Sequence, residues 1–161
     1  MRIFGVIGWK NAGKTGLMER LVTEIVGRGF SVSTLKHAHH EFDVDQPGKD
    51  SFRHRTAGAQ EVLLSSGKRW ALMHELRGSP EPDLETMLAK LSPVDLVLVE
   101  GFKRDAHAKV CAFRQETGQP MIEDDTVQAY AADCALNTSK PVFDLNDTQA
   151  IADFILAKVG L

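Results

Sequence analysis

Eight consecutive residues near the amino terminus, Gly8-Trp9-Lys10-Asn11-Ala12-Gly13-Lys14-Thr15, hold two glycines, a lysine and a hydroxyl at the spacing G-x-x-x-x-G-K-S/T. That spacing suits a polyphosphate. Its oxygens are satisfied by a ring of backbone N–H groups, and side chains at Gly8 and Gly13 would limit how closely the chain wraps. Lys14 is expected to reach the β and γ phosphates as a point charge, and the Thr15 hydroxyl to ligate Mg2+. Trp9, Lys10, Asn11 and Ala12 complete the turn, so all eight positions are candidate ligand contacts. Lys10 adds a second cation, which either acts on transition-state charge, in cis or across a dimer interface, or is merely solvated. Lys10 and Lys14 are therefore the candidate catalytic residues.

A magnesium ion on a triphosphate calls for an acid at the carboxyl end of a neighbouring parallel strand. Glu100 ends the run Asp-Leu-Val-Leu-Val-Glu and is the expected metal residue with Thr15. Asp95 opens the same run and lies about 16 Å away at ~3.3 Å per residue, too far to serve one site. Residues 36–58 are polar and mix acids, bases and histidines around a Pro-Gly turn. His37, His39, His40, Asp43 and Asp45 have donor types for a transition metal. Their spacing lacks a helical i, i+4 pair, however, so a switch or acceptor-substrate loop is the preferred reading. Arg53, His54 and Arg55 offer donors to a phosphate or acidic group, or form a solvated basic face. No N-K-x-D signature is present, so local residues leave adenine and guanine open. Trp70, Cys111 and Cys134 read as packing, and Trp9 as an exposed interface anchor.

These residues need a strand before the glycine turn and a helix after it. Ile3, Phe4, Val6 and Ile7 make the short apolar run of a strand covered on both faces. From Lys14 to Arg28, Leu17, Met18, Leu21, Val22, Ile25 and Val26 recur at helical spacing. A second strand over 31–35 completes a βαβ unit. A short helix capped by Asp50, a hairpin of 61–65 with 69–74, and a helix after Pro82 follow. Strands are expected at 95–100, 109–113, 127–131 and 142–145. A last helix starts at Asn146, with Gln149 three residues on in a capping-box arrangement. The alternation predicts a three-layer α/β fold, a mostly parallel sheet with an antiparallel hairpin insertion.

At 161 residues, with 43% hydrophobic and 25% charged residues, the chain is expected to form a single nucleotide-binding domain over 1–161. A net charge of -3 gives no general attraction to nucleic acid or anionic lipid, so phosphate binding must be local. The short, glycine-broken apolar start does not suit a signal or membrane span. With two widely spaced cysteines, it points to a reduced cytoplasmic setting.

Together, GWKNAGKT, KHAHHEFDVDQPGKDSFRHRTAGA, VLLSS, RWAL and LVLVEGFK make the first two thirds of the chain resemble the MobB family of adapter proteins in molybdopterin-guanine dinucleotide biosynthesis. The resemblance implies a P-loop NTPase-like fold of the GTPase kind, GTP binding with slow hydrolysis, a homodimer, and partnership with a MobA-type guanylyltransferase that attaches GMP to molybdopterin. Molybdopterin itself stays an open candidate ligand. Gly8, Lys10, Gly13, Lys14, Thr15 and Glu100 fall on matching family positions. Slow turnover agrees with the lack of a visible water-positioning Gln or catalytic base. The alternatives are a P-loop small-molecule kinase, in which residues 36–58 hold an acceptor hydroxyl but no closely spaced arginine pair makes a lid after Glu100, although Arg77 and Arg104 are available, and a non-enzymatic dimeric scaffold.

Overall fold

The computed structural model describes residues 1–38 and 42–161. Among them the chain runs β1 (Arg2–Ile7), α1 (Lys14–Gly27), β2 (Val32–Lys36), α2 (Asp50–Thr56), β3 (Glu61–Ser65), β4 (Trp70–His74) and α3 (Leu84–Leu88). It continues through β5 (Leu96–Glu100), β6 (Lys109–Phe113), β7 (Val127–Ala132), β8 (Val142–Asp144) and α4 (Thr148–Val159). Two compact units result: Met1–His37 with Leu84–Leu161, and Ala38–Asp83.

In the first unit six parallel strands are ordered β2-β5-β1-β6-β7-β8. Alternation divides the core. Phe4 and Val6 of β1, Leu96 and Leu98 of β5, and Val110 and Ala112 of β6 pack with Leu17, Leu21 and Ile25 of α1 and Ile151 and Ile155 of α4. On the other face Val97 and Val99 meet Leu84, Leu88 and Leu91, while Ile7, Cys111, Val127 and Tyr130 are covered by Met121, Ile122 and Leu136. The layer on that face is thin, built from one short helix and loop segments. Each fully buried Leu or Ile contributes roughly 1.5–3 kcal/mol. Side-chain burial therefore outweighs the cost of Gly16 and Gly27 within α1, about 1 kcal/mol each.

Two helix starts differ from expectation. The carboxylate of Asp147, not Asn146, caps α4 by accepting from the Ala150 amide at 3.0 Å. Asn146 is drawn into a turn, its own amide donating to Asp144 Oδ1 at 2.7 Å. The helix therefore begins one turn position later. Helix α2 starts at Asp50 itself after an extended Lys49, with no side-chain cap. Asp50 thus acts through first-turn charge.

In the second unit β3 and β4 form an antiparallel pair with Val62 opposite Met73, and α2 packs beside β3. Arg55 is committed there. It donates to Asp43 at 2.6 Å, Asp45 at 2.8 Å and Glu75 at 3.3 Å, which removes it from the free anion donors expected of residues 53–55. Trp70 is 66% exposed and Leu63 63%, so the packing reading of Trp70 is corrected. A two-stranded ribbon has too little cover for both of its faces.

One buried polar group in the first unit was not anticipated. Lys109 is fully buried at the start of β6, its Nζ donating to the Asp105 carbonyl, the His107 carbonyl (2.8 Å) and Thr126 Oγ1 (2.8 Å). Gly5 sits opposite Lys109, and a Cβ there would come within 2.6 Å of His107 Nε2. Both ring nitrogens of His107 are shielded and without hydrogen-bond partners. Burial first, then the Lys109 charge, hold its pKa down to about 4 from 6.5. The unfolded chain therefore takes up this proton first as pH falls. Stability from neutral His107 is complete above pH 6.5 and is lost between 6.5 and about 4. Urea unfolding at pH 7.0, 5.5 and 4.5 should show wild type losing at least about tenfold more in folding equilibrium over that interval than His107→Gln.

Candidate functional site

Strand β1 delivers the chain to Gly8, which is buried at φ 148°; a Cβ there would lie 2.5 Å from the Ala112 carbonyl oxygen of β6. Close approach to a neighbouring backbone, as well as conformation, requires glycine here. Asn11 takes a left-handed φ of 66°, and Gly13, at φ 89°, is the N-cap of α1. Arg114 crowds Gly13, its Nε 3.1 Å from the place a Cβ would occupy. Helix α1 has neither a side-chain cap nor an acid in its first turn. Ala12 donates its amide to the Trp9 carbonyl at 3.2 Å. Among the described residues, no acceptor in the chain takes the amides of Gly13, Lys14 or Thr15. A helix terminus with open donors and an uncompensated dipole suits an oxyanion.

Lys14 is half-buried, and its Nζ donates to the Trp9 carbonyl at 2.7 Å. Its pKa is lowered by burial and by the like charges of Lys103 and Lys36, with Glu100 opposing. Parallel pairing sets Glu100 level with Val6 of β1 on one side and Lys36 of β2 on the other. The Glu100 side chain is 12% exposed, with Oε1 3.4 Å from Lys36 Nζ. Thr15 is exposed on the first turn of α1. Lys14 and Glu100 thus share the carboxyl edge of β1 and β5, with Thr15 one residue on along α1. Asp95 does not join them. It accepts from the Ser31 amide at 2.8 Å and hydroxyl at 2.6 Å, bonds that hold its carboxyl below the usual range.

Trp9 is 37% exposed and pinned from within: Nε1 donates to the Pro120 carbonyl at 2.7 Å, and Lys103 Nζ stands 4.4 Å from the ring centroid. Lys10 and Asn11 line an open cavity of about 530 Å³ with Trp9, Glu116, Thr117 and Gln119. Cys111 is buried, which pushes its thiol up to about 11. The His37 ring meets Phe102 at 4.9 Å, while His39 and His40 lie outside the described residues. Among the described residues no group of three metal-ligating side chains forms, and Asp43 and Asp45 are held by Arg55. Sequence reasoning missed Lys36 and Lys103. Both stand at strand ends, Lys36 closing β2 and Lys103 in the Gly-Phe-Lys turn after β5, and that position was the available signal.

The sequence model described as "Molybdopterin guanine dinucleotide synthesis protein B" matches residues 3–133. The chain belongs to the MobB family. It is 40% identical over 153 residues to a molybdopterin-guanine dinucleotide biosynthesis adapter protein of Escherichia coli, spanning 92% of this chain and 87% of that one. The Haemophilus influenzae protein of the same name is also 40% identical, over 95% and 86% of the two chains. A MobB homolog from Bacillus stearothermophilus superimposes with a TM-score of 0.73 at 28% identity, covering 99% of both chains. Bacillus subtilis MobB gives a TM-score of 0.77 at 24% identity over 99% and 98%, a likeness of fold. The parallel sheet and glycine turn of this MobB chain accord with the expected α/β P-loop-like architecture. Among its described residues no helix is long and apolar enough to cross a membrane.

The glycine requirement in this MobB loop can be tested against a neutral position. Gly8→Ala forces a Cβ onto the Ala112 carbonyl and should cost about 2 kcal/mol or more. Gly27→Ala, with nothing within 4 Å, should be neutral or gain up to about 1 kcal/mol. Thermal melts of the two variants should move in opposite directions or differ by several degrees.

Proposed function

We propose that this chain is the GTP-binding adapter of molybdopterin-guanine dinucleotide biosynthesis, assisting a MobA-type guanylyltransferase that attaches GMP to molybdopterin. The observation that carries this reading is the set of open amides of Gly13, Lys14 and Thr15 in the Gly8–Thr15 turn, with Glu100 acting on Lys14, in a chain whose family relatives bear that adapter name. Trp9, Lys10, Asn11, Ala12 and Gly13 would wrap the polyphosphate. Lys14 would exchange the Trp9 carbonyl for β and γ oxygens, which a charged donor holds about twice as strongly as a neutral one. Thr15 and Glu100 would hold Mg2+, whose bound charge would neutralise phosphate oxygens. Glu100 is supported in that role by its position level with Val6 and by its ammonium partner, which an incoming cation can displace.

Residues 1–161 act in this proposal as one nucleotide-binding protein of the cytoplasm, with Ala38–Asp83 as an insertion in the P-loop domain. Hydrolysis is at most slow, and Lys10 is the loop cation open to a second protomer. Self-association is supported by the apolar side chains Leu63, Trp70 and Leu72 exposed on the β3–β4 ribbon.

Calorimetric titration should show GTP preferred to ATP in the presence of Mg2+. Lys14→Ala should weaken GTP binding at least about tenfold, the cost of one charge-assisted contact. Glu100→Gln should weaken the Mg2+-dependent part alone. If Lys14→Ala leaves both GTP affinity and stimulation of the guanylyltransferase unchanged, the proposal fails.

A further inference from the structure

We propose that Lys103 is a second phosphate-binding cation of this site, stored on the Trp9 ring and transferred to the terminal phosphate when a nucleoside triphosphate enters. This inference rests on the nucleotide reading above and adds a residue that selects triphosphate over diphosphate.

The backbone shows that Lys103 is aimed. Directly after Glu100, Gly101 has φ 92° and Phe102 φ 49°, two left-handed residues in succession. For a bulky aromatic residue that conformation is unfavourable and persists only where the surroundings hold it. They do so here: the Phe102 ring lies against His37 at 4.9 Å, and the Gly101 amide donates to the Val6 carbonyl at 3.2 Å. A Cβ on Gly101 would come within 3.1 Å of His37 Cβ. The reversal turns the chain back toward the glycine loop and sets Lys103 over its first variable residue, Trp9.

The charges show what Lys103 awaits. Among the described residues, Lys14 feels the like charges of Lys36 and Lys103 and the opposing charge of one carboxylate, Glu100, which is paired with Lys36. Among the described residues no carboxylate comes within ion-pair distance of Lys103. Its partner is an indole face, a weak and readily exchanged site for an ammonium. The Trp9 ring is itself fixed by the bond from Nε1 to Pro120, so it forms a stationary platform. A charged phosphate oxygen is a stronger partner than a neutral ring, so arrival of a terminal phosphate should draw Lys103 off Trp9. A diphosphate, one phosphate shorter, leaves the ammonium where it is.

The chain has two tryptophans, Trp9 and Trp70, so full-length Trp70→Phe makes Trp9 the sole reporter. In that background GTP or a non-hydrolysable GTP analogue with Mg2+ should change Trp9 emission, and GDP should change it less. Adding Lys103→Ala should abolish the difference and weaken GTP about tenfold, against less than about threefold for GDP. Lys103→Arg should restore most of the preference, and circular dichroism should report an unchanged fold. If Lys103→Ala reduces affinity for both nucleotides equally, or for neither, Lys103 is not the selecting cation and the inference is overturned while the nucleotide reading stands. If the parent chain binds neither nucleotide, both readings are overturned.

Discussion

The parallel register of β2, β5 and β1 is the constraint on which the site depends. Because Lys36, Glu100 and Val6 lie level, one cation, one carboxylate and the start of the glycine turn reach the same edge of the sheet. Slipping β5 by one residue would carry Glu100 to the other face of the sheet and exchange the sides that Leu96 and Leu98, and Val97 and Val99, now fill. The apolar alternation that fills the two faces therefore also fixes the chemistry at the edge. Core packing and site geometry are one constraint, and Gly8 marks where they meet, pressed against the Ala112 carbonyl of β6.

Much of this was legible in local pattern. The run from Ile3 to Ile7, the α1 periodicity and the spacing of Gly8, Gly13, Lys14 and Thr15 each depend on short-range chemistry, so a reading of neighbours suffices. Glu100 was legible for a related reason, since a strand that is buried along its length can place an acid only at its end. The elements read less well were those decided by tertiary contact. Arg55 looked like a free donor because its three carboxylate partners are 10, 12 and 20 residues away. Trp70 looked like core because no composition rule reveals that a ribbon lacks cover. The start of α4 shifted because Asp144 captured the Asn146 amide.

Lys103 and Lys109 show the same limit from opposite sides. Both lie between β5 and β7, and both look like ordinary solvated lysines in the sequence. Lys109 is buried on three oxygens because the chain from Asp105 to His107 curls around its ammonium. That clasp, with His107 packed on Gly5, anchors one end of the segment whose other end is the left-handed pair Gly101 and Phe102. A segment held at both ends is a firm mount for the side chains between them. The strain at Phe102 is thereby sustained by a polar clasp that neither periodicity nor motif spacing predicts.

The burial of Cys111 has a practical bearing on how the molecule can be labelled. A thiol pushed up to about 11 and closed off behind the glycine turn is scarcely ionised near neutrality, and alkylating reagents need the thiolate. Cys134, partly open just beyond β7, is the other thiol in the chain. A maleimide fluorophore or spin label would thus attach at one defined place without mutagenesis, on the edge of the sheet that carries the loops.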